Sequence, residues 1–158
     1  MASHLRILAA LLLLALAGCV QPPPFPAVAP LIPPLAPDQA RIYFYRDDEP
    51  YESLSWPRLY LNGARVGLSV PGGVFYRDVV PETYVISVDT YGYYWYPFKE
   101  VALRPGDTLF VKIESLSSWA SGGGRHGYRA DTFVVAIIEP AQAENELIAM
   151  RYVEREAE

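Results

Sequence analysis

RLYLNGARVGLSVPGGVFYRDVVPETYVISVD, residues Arg58 to Asp89, is the stretch whose reading decides the fold class. Asn62-Gly63 best supplies the two positive φ angles of a tight hairpin. Arg58–Leu61 and Arg65–Ser69 are therefore expected to pair across it. Pro71-Gly72-Gly73 and Pro81-Glu82 supply turn chemistry further on, because proline presets φ for a corner and glycine tolerates its tighter side. Val74–Val79 and Thr83–Asp89 are left as strands.

Outward from this block the same pattern continues. In Ala40–Arg46 the residues Ala40, Ile42 and Phe44 alternate with Arg41, Tyr43 and Tyr45, the period of a strand with one face toward a core. Phe98–Leu103 and Thr108–Glu114 flank a further turn at Pro105-Gly106-Asp107. Phe133–Ile138 is apolar on both faces, so it is expected to be central or covered by another element. Regular short strands broken by such turns indicate a sandwich or barrel. Pro140 can open a helix, since the first helical amides have no partner, and Glu144 and Glu146 suit its early turns. Ala143, Leu147 and Met150, with Ile148 beside them, make an apolar stripe at helical spacing. A short C-terminal helix is expected to dock on the sheet, with an acidic tail at 153–158.

Before the β block, Val20–Pro37 carries eight prolines and no charged residue. Proline fixes φ and lacks an amide donor, so this stretch is expected to be an extended spacer. In polyproline II geometry, at about 3.1 Å per residue, it would reach on the order of 50 Å. Ahead of it, Ile7–Ala17 is apolar but shorter than the roughly 20 residues a spanning helix needs. It has the size of the apolar region of an export signal.

The run Leu14-Ala-Leu-Ala-Gly-Cys19 ends that region on the single cysteine of the chain. Leu16, Ala17, Gly18 and Cys19 resemble the lipid-attachment site of bacterial lipoproteins, in which the cysteine is acylated and becomes the first mature residue. The resemblance implies a signal peptide at 1–18, a lipidated cysteine and proline-rich linker at 19–37, and a β domain at 38–152. A second acyl chain turns marginal membrane binding into stable attachment, so the implied partner is the lipid bilayer. In such lipoproteins Asp after the cysteine favours the inner membrane. Val20 stands there, which points to the outer membrane facing the periplasm, with surface display or a Gram-positive cell as alternatives.

Removing residues 1–18 would take away Arg6, the only formal charge there, and move the net charge from −5 to −6. An acidic domain without a basic cluster argues against nucleic-acid binding, which needs Lys and Arg to neutralise phosphates. With Cys19 committed to lipid, no disulfide is available and a hydrophobic core must supply stability.

A wider resemblance rests on ARIYFYR, LYLNGARVG, PGGVFYRDVVPETYVISV and VALRPGDTLFVKIE followed by a C-terminal helix. Over residues 38 to 150 these resemble a family of small bacterial lipoproteins whose domain has no assigned function. More loosely, they are similar to the short envelope β repeats named after a Pro-Glu-Gly-Ala motif. The resemblance implies an immunoglobulin-like or transthyretin-like β-sandwich and no catalytic residues. Pro81-Glu82-Thr83-Tyr84 departs from it, because glycine usually follows the proline.

Several constellations bear on function. Tyr91–Phe98 places six aromatic rings in eight residues between two strands. Tyr93, Tyr94, Trp95 and Tyr96 are the candidate ligand or partner surface, since Tyr and Trp stack on sugar faces and anchor protein interfaces. The competing reading is a core segment with a sticky edge. Ser121-Gly-Gly-Gly-Arg-His-Gly127 lacks the lysine and following helix of a phosphate-cradling loop and reads as a connection. Asp47, Asp48, Glu49 and Glu52 could offer oxygens to Ca²⁺ but lack a defined loop spacing, so a solvated turn is expected and no metal.

No Gly-x-Ser-x-Gly elbow is present, and His126 is the one histidine after residue 18. The expectation is a non-catalytic, membrane-tethered β-sandwich, without cofactor, that binds or braces an envelope glycan or an envelope protein. The alternatives are an accessory subunit of an envelope or secretion complex that adds a strand to a partner, and a small hydrolase of envelope polymer.

Overall fold

A computed structural model describes residues 21–48, 54–90, 98–115 and 132–153. The described residues are mainly β, with nine strands in two sheets and two short helices. One sheet has the order β8-β7-β1-β4-β9 and the other β3-β2-β5-β6. Their members are β1 (Ala40–Tyr45), β2 (Arg58–Leu61), β3 (Ala64–Leu68), β4 (Gly73–Val79), β5 (Thr83–Val88), β6 (Phe98–Ala102), β7 (Thr108–Ser115), β8 (Phe133–Ile138) and β9 (Arg151–Tyr152). Helix α1 is Phe25–Val28, continued by a 3₁₀ turn at Ala29–Leu31, and α2 is Pro140–Leu147.

The strands form where period-2 alternation predicts them. Asn62 and Gly63 take φ of 49° and 80° at the β2–β3 turn, the two positive angles that join a tight hairpin. Asn62 also accepts the Val85 amide at 2.8 Å, which stitches the hairpin tip to β5. Gly72 and Gly106, each following a proline, have φ of 66° and 85°. Gly73 and Asp107 close these turns by donating to Val70 and Arg104.

The main core lies between the sheets. Ala40, Ile42, Phe44, Leu59, Ile86 and Val111 have no exposed surface, and Phe44 stacks on Phe75 at 5.2 Å. Burying such side chains stabilises by about 1.5–3 kcal/mol each relative to exposure. Gly67 is part of this fit, because a Cβ there would lie 2.5 Å from Phe75 Cζ.

The five-stranded sheet is covered on its other face as well. Phe25, Tyr45, Val74, Phe110, Ala143, Leu147 and Met150 form a second buried cluster. Ala143 and Leu147 therefore dock as their helical spacing predicts, whereas Met150 is buried beside them from the turn after α2, where the expected stripe has already left the helix, and Ile148 stays exposed. β8 is an edge strand rather than a central one. Its Phe133 and Val135 face the other sheet, and Ile138 lies under the second cluster.

The expected extended spacer is corrected by this cluster. Within this stretch Phe25–Val28 form α1 and Ala29–Leu31 the 3₁₀ turn, and Phe25, Ala29 and Ile32 pack against the sheet. Phe25 is 9% exposed and its ring meets Tyr43 edge-on at 6.0 Å. The Pro24–Arg151 bridge, with Phe25 N donating to Met150 O at 2.8 Å, holds the strap to the chain after α2. Proline is tolerated because Pro26 and Pro30 occupy the first turns of their helices, where a missing amide breaks no bond. Phe25, Ala29 and Ile32 then fall on one face, and burial of that face outweighs the preference of proline for an open chain.

Candidate functional site

The registers place four connections, three of them long, at one end of the sandwich. In the five-stranded sheet Tyr45 lies opposite Val74 and Lys112, and Ser115 opposite Phe133. In the four-stranded sheet Arg58 pairs with Leu68, Leu59 with Val88, and Ser87 with Phe98. The four residues between Leu68 and Gly73 link both sheets there. Segments 46–57, 89–97 and 116–132 thus leave and rejoin the sheets at the same end as Ser69–Gly72. Antiparallel pairing alone does not produce this; the parallel β1–β7 pair brings Lys112 level with Tyr45, so that β7 runs on to Ser115 at the same end.

The residues anchoring this end are held firmly. Arg46 is fully buried, donates from Nη1 to Ser55 O at 2.8 Å, and sits 4.8 Å above the Phe133 ring. A buried guanidinium needs such partners, because an uncompensated charge inside a protein is expensive. Phe133 N donates to Thr90 Oγ1 at 3.1 Å, fastening the start of β8 to the end of β5.

Beside them, on the face under α2, is a polar cluster. Lys112 Nζ lies 2.6 Å from Asp47 Oδ2 and 3.0 Å from Glu146 Oε2. Tyr45 donates to Glu146 Oε2 at 2.7 Å, and Gln142 donates to Oε1 at 2.8 Å. Burial opposes the charge on Lys112, yet Asp47 and Glu146 outweigh it and hold its pKa above the ordinary lysine value. Burial likewise opposes ionised Glu146, but bonds from Gln142, Tyr45 and Lys112 lower its pKa. Tyr45 is pushed up by burial first and by Glu146 next. The cluster is a satisfied clasp between β1, β7 and α2 rather than a poised acid–base pair.

A recess at this end is lined by Leu59, Leu68, Ser69, Val70, Gly73 and Val153, among others, and has no room for the centre of even a water-sized sphere, far short of the volume a small-molecule site needs. Among the described residues no three His, Cys, Asp or Glu side chains meet as metal ligands. Asp47 is engaged by Lys112 instead, and Asp48 lies against the Gly72 turn.

Cys19 and the candidate surface Tyr93, Tyr94, Trp95 and Tyr96 fall outside the described residues, as do Glu49, Glu52 and His126. Thr90 and Phe98, which flank the aromatic run, lie at the loop-bearing end.

Known relatives do not decide the matter. Comparison with protein families, curated proteins and solved structures finds no match to this chain.

Arg41 is a residue that strand alternation alone misplaces. It is expected on the outer face with Tyr43 and Tyr45, yet it is 6% exposed. Its Nε and Nη2 grip Asp78 at 2.6 and 2.8 Å, Nη2 also donates to Pro33 O at 2.9 Å, and the guanidinium lies 4.5 Å from the Tyr76 ring centre. The hydrogen bond to Asp78, the largest influence, raises its pKa further. The available signal was the i, i+4, i+7 spacing of Phe25, Ala29 and Ile32, which marks the preceding segment as a docking face rather than a spacer.

Proposed function

We propose that this chain is a bacterial lipoprotein, acylated on Cys19 and held at the outer membrane facing the periplasm. Its β-sandwich binds or braces an envelope component without catalysis. Tyr93, Tyr94, Trp95 and Tyr96 form the contact surface. The supporting observation is the convergence of strand ends: the segment that carries these rings joins the sheets beside two other long connections, an arrangement suited to recognition by loops on a rigid scaffold. Leu-Ala-Gly-Cys19 supports the anchoring. Among the described residues no helix is long and apolar enough to cross a membrane.

Replacing Tyr93, Trp95 and Tyr96 with Ala is expected to abolish retention on isolated peptidoglycan or lipopolysaccharide with an unchanged unfolding midpoint. Undiminished retention by the folded triple variant counts against the aromatic surface. Photo-crosslinking from position 94 in cells identifies the class of ligand: glycan adducts support this reading.

A second reading, an accessory subunit that adds a strand to a partner, is favoured by β6. This five-residue strand is an edge of the four-stranded sheet and is largely exposed. An open edge can accept another chain, although Lys99 and Glu100 are the kind of charges that blunt one. A single protein adduct in the crosslinking experiment supports it. A small hydrolase of envelope polymer is the third reading, supported by polymer turnover without adducts.

A further inference from the structure

The strap is held as a bound peptide is held. Proline has no N–H, so a proline-rich segment offers mainly carbonyls, and the domain supplies the donors. Arg151 Nη1 donates to Pro22 O at 2.8 Å, the Tyr152 amide to Pro23 O at 2.9 Å, and Arg41 Nη2 to Pro33 O at 2.9 Å. Each accepting residue is followed by another proline. Between these grips the Phe25 ring is the anchor, set edge-on against Tyr43, which stacks on Phe110 at 5.3 Å. An aromatic wall beneath a proline-rich segment is a recurring mode of peptide recognition. The seat is built by β1, β7 and β9, and the strap adds to the sheets one isolated bridge, Pro24–Arg151. Among the described residues none before Ala40 enters the core between the sheets. The strap can therefore leave its seat with that core intact.

We propose that two copies of this chain exchange straps, each seating residues 22–33 in the groove of the other. Exchange of an identical element conserves the contacts made within one copy, which makes it a low-cost route to a dimer. The hinge is residues 34–39, between Pro33 and the start of β1. Six extended residues reach about 20 Å. Exchange opens the turn bond from Gln39 N to Ala36 O at 3.0 Å, and Pro34 and Pro37 then favour an extended hinge over a coiled one.

The surface around the hinge favours a second copy as the partner. Arg41 holds Pro33 and Asp78 together. Leu31 lies two residues before Pro33 and Val80 two residues after Asp78, and they are 78% and 67% exposed. Pro33, Pro34 and Pro37 are exposed as well. A two-fold axis through the hinge sets this apolar patch against its own copy, the self-complementary contact that closes a dimer. Covering Leu31 and Val80 adds a gain that exchange alone does not, since apolar area leaves water. Ala40 and Val79 pair at this end, opposite the four connections, so the dimer contact is separate from the end assigned above to an envelope ligand.

The test is disulfide trapping in the full chain. Pro24 and Arg151 form an antiparallel bridge, a spacing that a disulfide can close. Full-length Pro24→Cys and Arg151→Cys proteins are mixed in equal amounts, incubated below their unfolding midpoint and oxidised, and the linked peptides are identified by mass, which separates the 24–151 bond from any that Cys19 forms. The expected main product is a covalent dimer joined 24 to 151, in excess of 24–24 and 151–151 products, and the Pro24→Cys/Arg151→Cys double variant is expected to give a dimer closed by two such bonds. Leu31→Glu with Val80→Glu, both on exposed positions, is expected to cut the 24–151 dimer about tenfold or more through like charges across the two-fold axis, with the unfolding midpoint kept. A double variant that closes only within single chains, with no excess of 24–151 over homotypic bonds in the mixture, overturns the exchange. A 24–151 dimer undiminished by the two glutamates overturns the hinge patch as the place where the copies meet.

Discussion

The amide of Phe25 donates to the carbonyl of Met150 at 2.8 Å, joining the proline segment to the chain that follows α2. The ring of Phe25 enters the same buried cluster as Met150, with Leu147, Ala143 and Tyr45. The strap and the end of the fold thus close one face of the five-stranded sheet together. The proline segment belongs to the domain.

Phe25→Ala is therefore expected to destabilise the protein by about 3 kcal/mol, the scale for emptying a buried aromatic site. Urea unfolding followed by far-UV circular dichroism measures it. A free spacer predicts no change.

Arg41 binds the strap from its other end, through Pro33 O, while gripping Asp78 with both nitrogens. Lysine lacks the planar fork that makes this contact. Arg41→Lys is expected to cost about 2–3 kcal/mol, the range for hydrogen bonds to a charged partner. Asp78→Asn should cost a similar amount, and the double variant markedly less than the sum, because both remove one interaction. Additive losses in thermal or urea unfolding contradict a shared role.

Glu146 has a depressed pKa in the folded protein, so its contribution is complete above the ordinary carboxylate range and fades as pH falls through that range into the lower folded value. Lys112 and Tyr45 are raised. Their contributions hold below their ordinary values, near 10, and fade as pH rises past them. Glu146→Gln is expected to unfold more easily than the parent at pH 7, and the gap to close below about pH 4. A gap that persists in acid places the loss outside this carboxylate. Tyr45→Phe should cost about 1.5–3 kcal/mol at neutral pH and less at alkaline pH.

Gly67 faces the ring of Phe75, and a Cβ there would come within 2.5 Å of it. Phe75 is buried and stacked on Phe44, so the ring has little freedom to retreat. Gly67→Ala is expected to destabilise by about 1–3 kcal/mol through overpacking. Gly106→Ala, in open space with positive φ, should cost only about 1 kcal/mol from backbone strain. A larger loss at Gly106 than at Gly67 counts against this account.

Local chemistry made the strands readable in advance. Asn62-Gly63 and the two Pro-Gly corners demand turn geometry wherever they stand, and alternation such as Ala40, Ile42, Phe44 produces one apolar face regardless of neighbours. The Ala143, Leu147 stripe of α2 was legible for the same reason, while Met150 reaches the same cluster from beyond the helix. The Leu-Ala-Gly-Cys19 pattern and the rings at Tyr93 to Tyr96 are also matters of sequence, and their roles await the experiments above.

Tertiary structure decided what lies across from those faces. Alternation says that Arg41, Tyr43 and Tyr45 share a side, but not that a strap and a helix cover it. The parallel partnership of β1 with β7 joins residues 67 apart in the sequence at every pair, which no local pattern encodes. The strap is the sharpest case. Proline chemistry alone favours an extended spacer, whereas burial of Phe25 and the grip of Arg41 on Pro33 favour docking. Burial and hydrogen bonding exist only once the sheet is assembled, so the sequence by itself determined the strands and turns, and the assembled sheet decided where the proline segment lies.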